Sequence, residues 1–158
     1  MRVSYQHANP AAGNESFLLR FRGDEEPTPC LLVDAGNGVD VDALTEPDDR
    51  LVGICLTHAH LDHYATLAAA HREGVPILVS PATGAILGDV LDVAGTEYGV
   101  DSSRAVRAAI TPVAEPRALT AEVSFQPVPA GHAPAAVGWL VTVTDREDPH
   151  RRLATGDF

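Results

Sequence analysis

Thr57-His58-Ala59-His60-Leu61-Asp62-His63 concentrates four metal-binding side chains within six positions. The apolar run 51–56 in front of it predicts a buried strand that ends where the histidines begin. In an extended backbone, residues two positions apart point to the same side, so we expect His58 and His60 to grip one cation. Imidazole and carboxylate donors together favour zinc or another borderline divalent ion.

Residues at helical spacing follow this stretch, namely Leu61, Tyr64, Leu67, Ala68 and His71. They predict one helix, which Gly74 would end with a left-handed backbone. Asp62 and His63 would then lie in its first turn, where the helix dipole favours an ionised carboxylate. We expect both side chains to face a second metal.

Predicted strands lie before and after a middle section in which strands and helices alternate. Alternating or apolar runs predict strands at 2–6, 16–21, 30–33, 75–79, 121–126, 137–143 and 152–155, with a hairpin turn at 145–149. A short helix is predicted near 41–44, and another helix starts at Ser80-Pro81. A further helix follows Asp101 and carries Ala105, Val106, Ala109 and Ile110. The fold class is therefore α/β, with mixed or antiparallel sheet and flanking helices.

Composition indicates one domain with a sizeable core, because 45% of the 158 residues are hydrophobic. No apolar stretch is long enough to span a membrane and the first residues lack a secretory signal, so we expect a cytoplasmic protein without a membrane partner. Cys30 and Cys55 lie in apolar runs without a paired cysteine motif, which excludes them as ligands and predicts free, buried thiols.

The charge is strongly acidic, with 22 acidic residues, 11 basic residues that are all arginine, and a net charge of −11. Such a surface predicts a halophilic protein, and compositional bias is the alternative explanation. It also repels phosphate, which disfavours nucleic-acid binding.

Three residues outside this stretch are predicted to belong to the site, two as metal ligands and one as an orienting residue. His132 follows a strand and a Pro-Ala-Gly turn, and Asp157 ends the last strand beside a glycine. We expect His132 to be a ligand, with Gly131 letting the backbone pass close to whatever the imidazole binds, and Asp157 to bridge two cations. Asp34, with Thr57, is predicted to orient the histidine loop rather than bind metal, and simple turn formation is the alternative for Asp34.

Four segments in order resemble the metallo-β-lactamase superfamily, namely 32–36, 57–63, 130–132 and 155–158. The resemblance implies a four-layer αββα sandwich. It also implies two divalent ions, expected to be zinc, with His58, His60 and His132 on the first, Asp62 and His63 on the second, and Asp157 between them.

Gly131-His132 together with the ending Thr155-Gly156-Asp157-Phe158 also resembles the β-CASP nucleases. This implies cleavage of RNA or DNA phosphodiesters by a hydroxide that two metals activate, with Asp62 as the catalytic proton acceptor. Two alternatives stay open. One is a small-molecule thioester or lactone hydrolase of the glyoxalase II type, and the other is an inactive fragment or regulatory partner.

The family supplies a last histidine to the second metal from a later strand, and none follows Phe158. Residues 1–158 are therefore predicted to be a partial domain, the N-terminal half of the sandwich, without the C-terminal half or any inserted domain. We expect the remainder of the chain or a homo-oligomer to complete the fold. Part of the apolar face formed by Val137, Trp139, Val141 and Val143 would otherwise lack cover.

Overall fold

A computed structural model describes residues 1–13, 15–101, 103–144 and 149–157. The strands are β1 Arg2–His7, β2 Phe17–Arg22, β3 Thr28–Val33, β4 Asp49–Cys55, β5 Ile77–Val79, β6 Ile110–Pro112, β7 Arg117–Ala118, β8 Val123–Pro129, β9 Val137–Thr144 and β10 Pro149–Ala154. The helices are α1 Val41–Leu44, α2 Leu61–Tyr64, α3 Leu67–Ala70, α4 Pro81–Tyr98 and α5 Arg104–Ala109.

The first sheet is mixed and has the order β1-β2-β3-β4-β5-β6. Its first three strands are antiparallel, and β3, β4, β5 and β6 run parallel. Parallel strands bring their carboxyl ends to the same edge of a sheet. In the β3–β4 register Val33 lies opposite Cys55, so the residues after both strands, Asp34 and Thr57, meet at that edge.

The second sheet is antiparallel, has the order β10-β9-β8-β7 and packs against one face of the first sheet. Because side chains alternate along a strand, Leu31 and Val33 face the second sheet, whereas Cys30 and Leu32 face the helices. All five helices contribute residues to the helix-side core. The described chain therefore forms three layers, helix on sheet on sheet, and the predicted α/β class is confirmed.

The apolar face of β9 is covered, contrary to our expectation. Trp139 and Val141 are fully buried in the core between the two sheets, with Phe125 beside them. The expectation was wrong because it gave this face to a missing layer, although the first sheet supplies the cover. The opposite face of the second sheet is the open one, and Leu153 there is 52% exposed.

The helix predicted after the histidine stretch is two short helices, α2 and α3. Between them Thr66 donates its backbone amide to the Ala35 carbonyl and its hydroxyl to the Gly36 carbonyl. These bonds draw the chain towards the 34–36 turn, and the prediction of one continuous helix was wrong. Gly74 does have a positive φ, 79°, but it lies in the turn before β5 rather than at the end of a helix.

Strands β6 and β7 were not predicted, and Ile110 was expected on a helix. Residues 145–148 of the predicted hairpin turn at 145–149 lie outside the described ranges.

Both cysteines are buried and free, as predicted. Among the described residues, no helix is long and apolar enough to cross a membrane.

Candidate metal centre

The predicted ligands come from four places in the fold and converge at one edge of the sandwich. His58 and His60 follow β4, His63 lies in α2, His132 lies between β8 and β9, and Asp157 follows β10. Both sheets therefore contribute to the cluster. Their strands set the positions from which the chain leaves each sheet, while the loops and α2 carry the side chains.

His58, His60 and His132 form one group of mutually close donor atoms. His58 Nε2 lies 2.9 Å from His60 Nδ1, and His132 Nε2 lies 3.3 Å from the same Nδ1. His58 is buried, whereas His60 and His132 are exposed. The three nitrogens meet at a point that has a protein wall on one side and solvent on the other.

His58, His63 and Asp157 form a second group. The Asp157 Oδ2 atom lies 3.6 Å from His63 Nε2 and 3.6 Å from His132 Nε2, so this carboxylate lies between the two groups. Asp62 lies outside both groups. Its Oδ2 is 4.0 Å from His63 Nε2, and its side chain is 54% exposed.

Asp34 and Thr57 orient two of the imidazoles through hydrogen bonds on the side of each ring that faces away from the cluster. Asp34 accepts the Thr57 amide at Oδ1 (2.8 Å), and at Oδ2 it accepts the Thr57 hydroxyl (2.8 Å) and the His63 Nδ1–H (2.8 Å). The Thr57 hydroxyl uses its hydrogen in the bond to Asp34, so its oxygen accepts a hydrogen bond from His58 Nδ1–H at 3.0 Å. In its neutral form each ring thus carries its proton on Nδ1 and turns an unprotonated Nε2 towards the cluster.

Burial lowers the pKa of His58 to about 4, and nearby positive charge on His63 and His60 acts in the same direction. Burial also raises the pKa of the Asp34 carboxyl, and its hydrogen bonds from His63 and Thr57 oppose that rise. For His63, burial lowers the pKa, but the hydrogen bond and charge of Asp34, together with the charges of Asp62 and Asp157, outweigh burial and raise it. At neutral pH His58 is therefore a neutral imidazole with a lone pair available for a cation.

One observation shows that these residues fit a metal ion. His63 Nε2 is buried and has no hydrogen-bond partner among the described residues. A buried polar atom without a partner costs free energy, about 1–3 kcal/mol, and here it points at a carboxylate and other imidazoles. Imidazole nitrogens with carboxylate oxygens are the donors that zinc takes in catalytic sites.

Two glycines allow close approaches that the sequence did not reveal. A Cβ on Gly36 would lie 2.0 Å from the Asp62 carbonyl oxygen, and one on Gly156 would lie 2.5 Å from Thr57 Oγ1. Each glycine lies within two positions of a predicted site residue, Asp34 or Asp157, and this was the signal in the sequence that could have indicated a close approach. A Cβ on Gly131 would meet no protein atom within 4 Å. The expected approach of this backbone to whatever His132 binds stays a prediction.

A family model described as "Beta-lactamase superfamily domain" matches residues 30–156. A comparison with curated proteins finds no match. Similar solved structures include the subclass B3 metallo-beta-lactamase BJP-1 of Bradyrhizobium japonicum, with 16% identity, a TM-score of 0.60, and coverage of 89% of this chain and 55% of that one.

Two other similar structures are also metallo-beta-lactamases. GOB-18 from Elizabethkingia meningoseptica has 15% identity and a TM-score of 0.58, covering 89% of this chain and 54% of that one. The class B3 di-zinc enzyme LRA-12 from an Alaskan soil metagenome has 14% identity and a TM-score of 0.55, covering 87% and 55%. At these identities the likeness concerns the fold. The chain spans about half the length of the structures it matches.

Proposed function

Because the chain belongs to the beta-lactamase superfamily, a superfamily of metallo-hydrolases, we propose that it is a hydrolase that holds divalent metal in the histidine–aspartate cluster. The observation that carries this proposal is the convergence of His58, His60, His132, His63 and Asp157 into two groups of donor atoms. His63 Nε2, which has no hydrogen-bond partner in the part of the chain that the structure describes, supports it, since a cation is a partner that such a nitrogen can take.

The ligand assignment combines the residues of the two groups with Asp62, which lies outside both of them. His58, His60 and His132 would hold the first ion, His63 and Asp62 would hold the second, and Asp157 would bridge them. The ion we propose is zinc, which fits the nitrogen and oxygen donors. When bound, such ions lower the pKa of water to about 7 and polarise a substrate carbonyl or phosphoryl oxygen.

The residues of the chain contribute orientation and proton transfer. Asp34 and Thr57 keep Nδ1 of His58 and His63 protonated, which leaves each Nε2 for a cation. Asp62 lies at the open side of the cluster, half-exposed and 4.0 Å from His63 Nε2. We assign it the role of proton acceptor from the attacking water.

We assign a small carbonyl compound, an ester, thioester or lactone, as the substrate class. Charge supports this choice, because the net charge of −11 repels a phosphodiester backbone. Moreover, several arginines already pair with carboxylates outside the cluster, namely Arg20 with Asp49, Arg22 with Glu46, Arg50 with Glu25, Arg72 with Asp42 and Arg107 with Asp92. The nuclease function that the β-CASP resemblance implies stays a prediction.

Hydrolysis assays with a small panel test this proposal. The zinc-loaded protein is offered a thioester, a lactone, a β-lactam and a single-stranded RNA, with His58→Ala as the inactive control and His71→Ala as the matched control outside the cluster. We expect turnover of the thioester or lactone that His58→Ala abolishes and His71→Ala retains. RNA cleavage without carbonyl hydrolysis would replace the substrate assignment with the nuclease, and activity that His58→Ala retains would contradict the site.

A further inference from the structure

The loop at 130–136 carries His132, and its conformation at Ala135 is unusual. Ala135 has a φ of 70°, in the left-handed region that residues with a Cβ rarely adopt. Such a conformation persists only where surrounding contacts impose it. The loop closes on itself through Ala130 N–H to the Ala136 carbonyl (3.0 Å) and Ala136 N–H to the Ala133 carbonyl (3.0 Å).

Two buried hydroxyls at the start of α4 supply an outside contact. Ser80 Oγ lies 3.1 Å from the Ala135 carbonyl oxygen, and Thr83 Oγ1 lies 3.2 Å from it. The side chains are 5% and 1% exposed. Their mutual distance is 3.0 Å, and Ser80 Oγ also accepts the Thr83 amide as the helix cap. Each hydroxyl has one proton, so Ser80 can donate to Thr83 while Thr83 donates to Ala135.

This contact joins the helix layer to the loop of the second sheet. Ser80 follows β5 of the first sheet, and Ala135 lies three residues after His132. On the other side, the Val137 amide donates to the Thr57 carbonyl at 2.9 Å, which ties the same loop to the histidine stretch. The loop that carries His132 is thus held at two points after this residue, Ala135 by the start of α4 and Val137 by the metal-binding stretch.

We propose that Ser80 and Thr83 are positioning residues for His132. They fix the Ala135 carbonyl, and through the closed loop they fix the imidazole that completes the group with His58 and His60. Helix capping explains only the Ser80 bond to the Thr83 amide, and it leaves unexplained why both hydroxyls face a carbonyl more than fifty residues away. This inference rests on the proposed metal-binding function.

Thr83→Val removes the hydroxyl and keeps the shape, Thr83→Ser keeps the hydroxyl, and Thr96→Val is the matched control. Thr96 lies on the same helix, roughly 20 Å further along, and bonds to the Asp92 carbonyl. Zinc affinity is measured by competition with a chromogenic chelator, and the melting temperature of the metal-free protein is measured beside it. Ser80→Ala removes the other donor and serves if Thr83→Val does not fold.

We expect Thr83→Val to weaken zinc binding by about tenfold to a hundredfold, as removal of groups that orient ligands usually does. Thr83→Ser should restore the affinity, and Thr96→Val should leave it unchanged. A purely structural role would lower the melting temperature of the metal-free protein without changing the affinity of the folded fraction, and this would overturn the inference. Absence of zinc binding by the wild type would instead overturn the proposed function, and this inference with it.

Discussion

Asp34 is the residue on which the cluster depends although it reaches no metal position itself. It is fully buried and accepts three hydrogen bonds, two from Thr57 and one from His63. The φ of 57° at Asp34 turns the chain so that its carboxylate faces these donors. A single buried carboxylate therefore sets the tautomer and the orientation of His63 directly and those of His58 through Thr57.

Asp34→Asn should weaken zinc binding by about tenfold to a hundredfold. The amide keeps the shape of the carboxylate, but it has only one acceptor oxygen, and its NH₂ group cannot accept the His63 Nδ1–H or the Thr57 hydroxyl proton. Isothermal titration with zinc measures the loss, and Asp89→Asn on the exposed side of α4 is the control. Unchanged affinity in Asp34→Asn would show that the hydrogen bonds do not orient the imidazoles.

At the residue scale, the sequence could indicate which side chains form the cluster and that Asp34 and Thr57 orient the histidine loop, but not which contacts hold the loop of His132. Histidines two positions apart after an apolar run predict a shared cation, because strand geometry is regular. Ser80 was recognisable only as part of a helix start and Thr83 was not singled out, since their contacts with Ala135 span 55 and 52 positions. Contacts at that separation depend on how the sheets and helices pack, and no local pattern encodes them.

At the element scale, the turn after β3 packs against α2 too closely to admit a side chain. The nearest atom to a Cβ on Gly36 would be the Asp62 carbonyl oxygen, which is backbone and cannot rotate away. Gly36→Ala should therefore lower the free energy of unfolding by about 2 kcal/mol or more, because the two segments must separate. Chemical denaturation of the metal-free protein measures this.

The control is Gly88→Ala in the middle of α4. There the nearest atom to an added Cβ is the flexible end of Arg107, at 3.6 Å, so the site has room. Alanine is the better helix former, and we expect a gain of about 1 kcal/mol. Equal destabilisation by both changes would mean that the close approach at Gly36 does not constrain the fold.

Periodicity predicted the type of the long helices and strands. The prediction failed where tertiary contacts determined where an element ends. The strands before the histidines and the helix after Ser80-Pro81 were predicted, because apolar patterning and a serine cap are local signals. The break between α2 and α3 was missed because Thr66 bonds to the distant 35–36 carbonyls instead of supporting one helix. Strand β6 was missed because three residues are too few for a period to show.

At the scale of the whole molecule, the acidic surface is the feature expected to control how stability depends on salt. Exposed carboxylates occur throughout the chain, for example at Asp24, Glu25, Glu26, Asp40 and Asp48. With a net charge of −11 they repel one another, and dissolved salt screens this repulsion. The halophilic character stays a prediction.

We therefore expect the melting temperature to rise as potassium chloride increases from low to molar concentration. Sucrose in place of the salt is the control, since it favours the compact state without screening charge. A melting temperature that stays flat or falls in potassium chloride would leave compositional bias as the explanation of the missing lysines.

The most direct test of the account is the zinc content of the purified protein, determined by elemental analysis after dialysis against trace zinc. His58 belongs to both groups of donor atoms, and His71, whose Nε2 bonds to the Val75 carbonyl at 3.0 Å, belongs to neither. The account predicts at least one tightly bound zinc per chain in the wild type and in His71→Ala, and its loss in His58→Ala. A wild type without zinc, or a folded His58→Ala that keeps the wild-type zinc content, would contradict it.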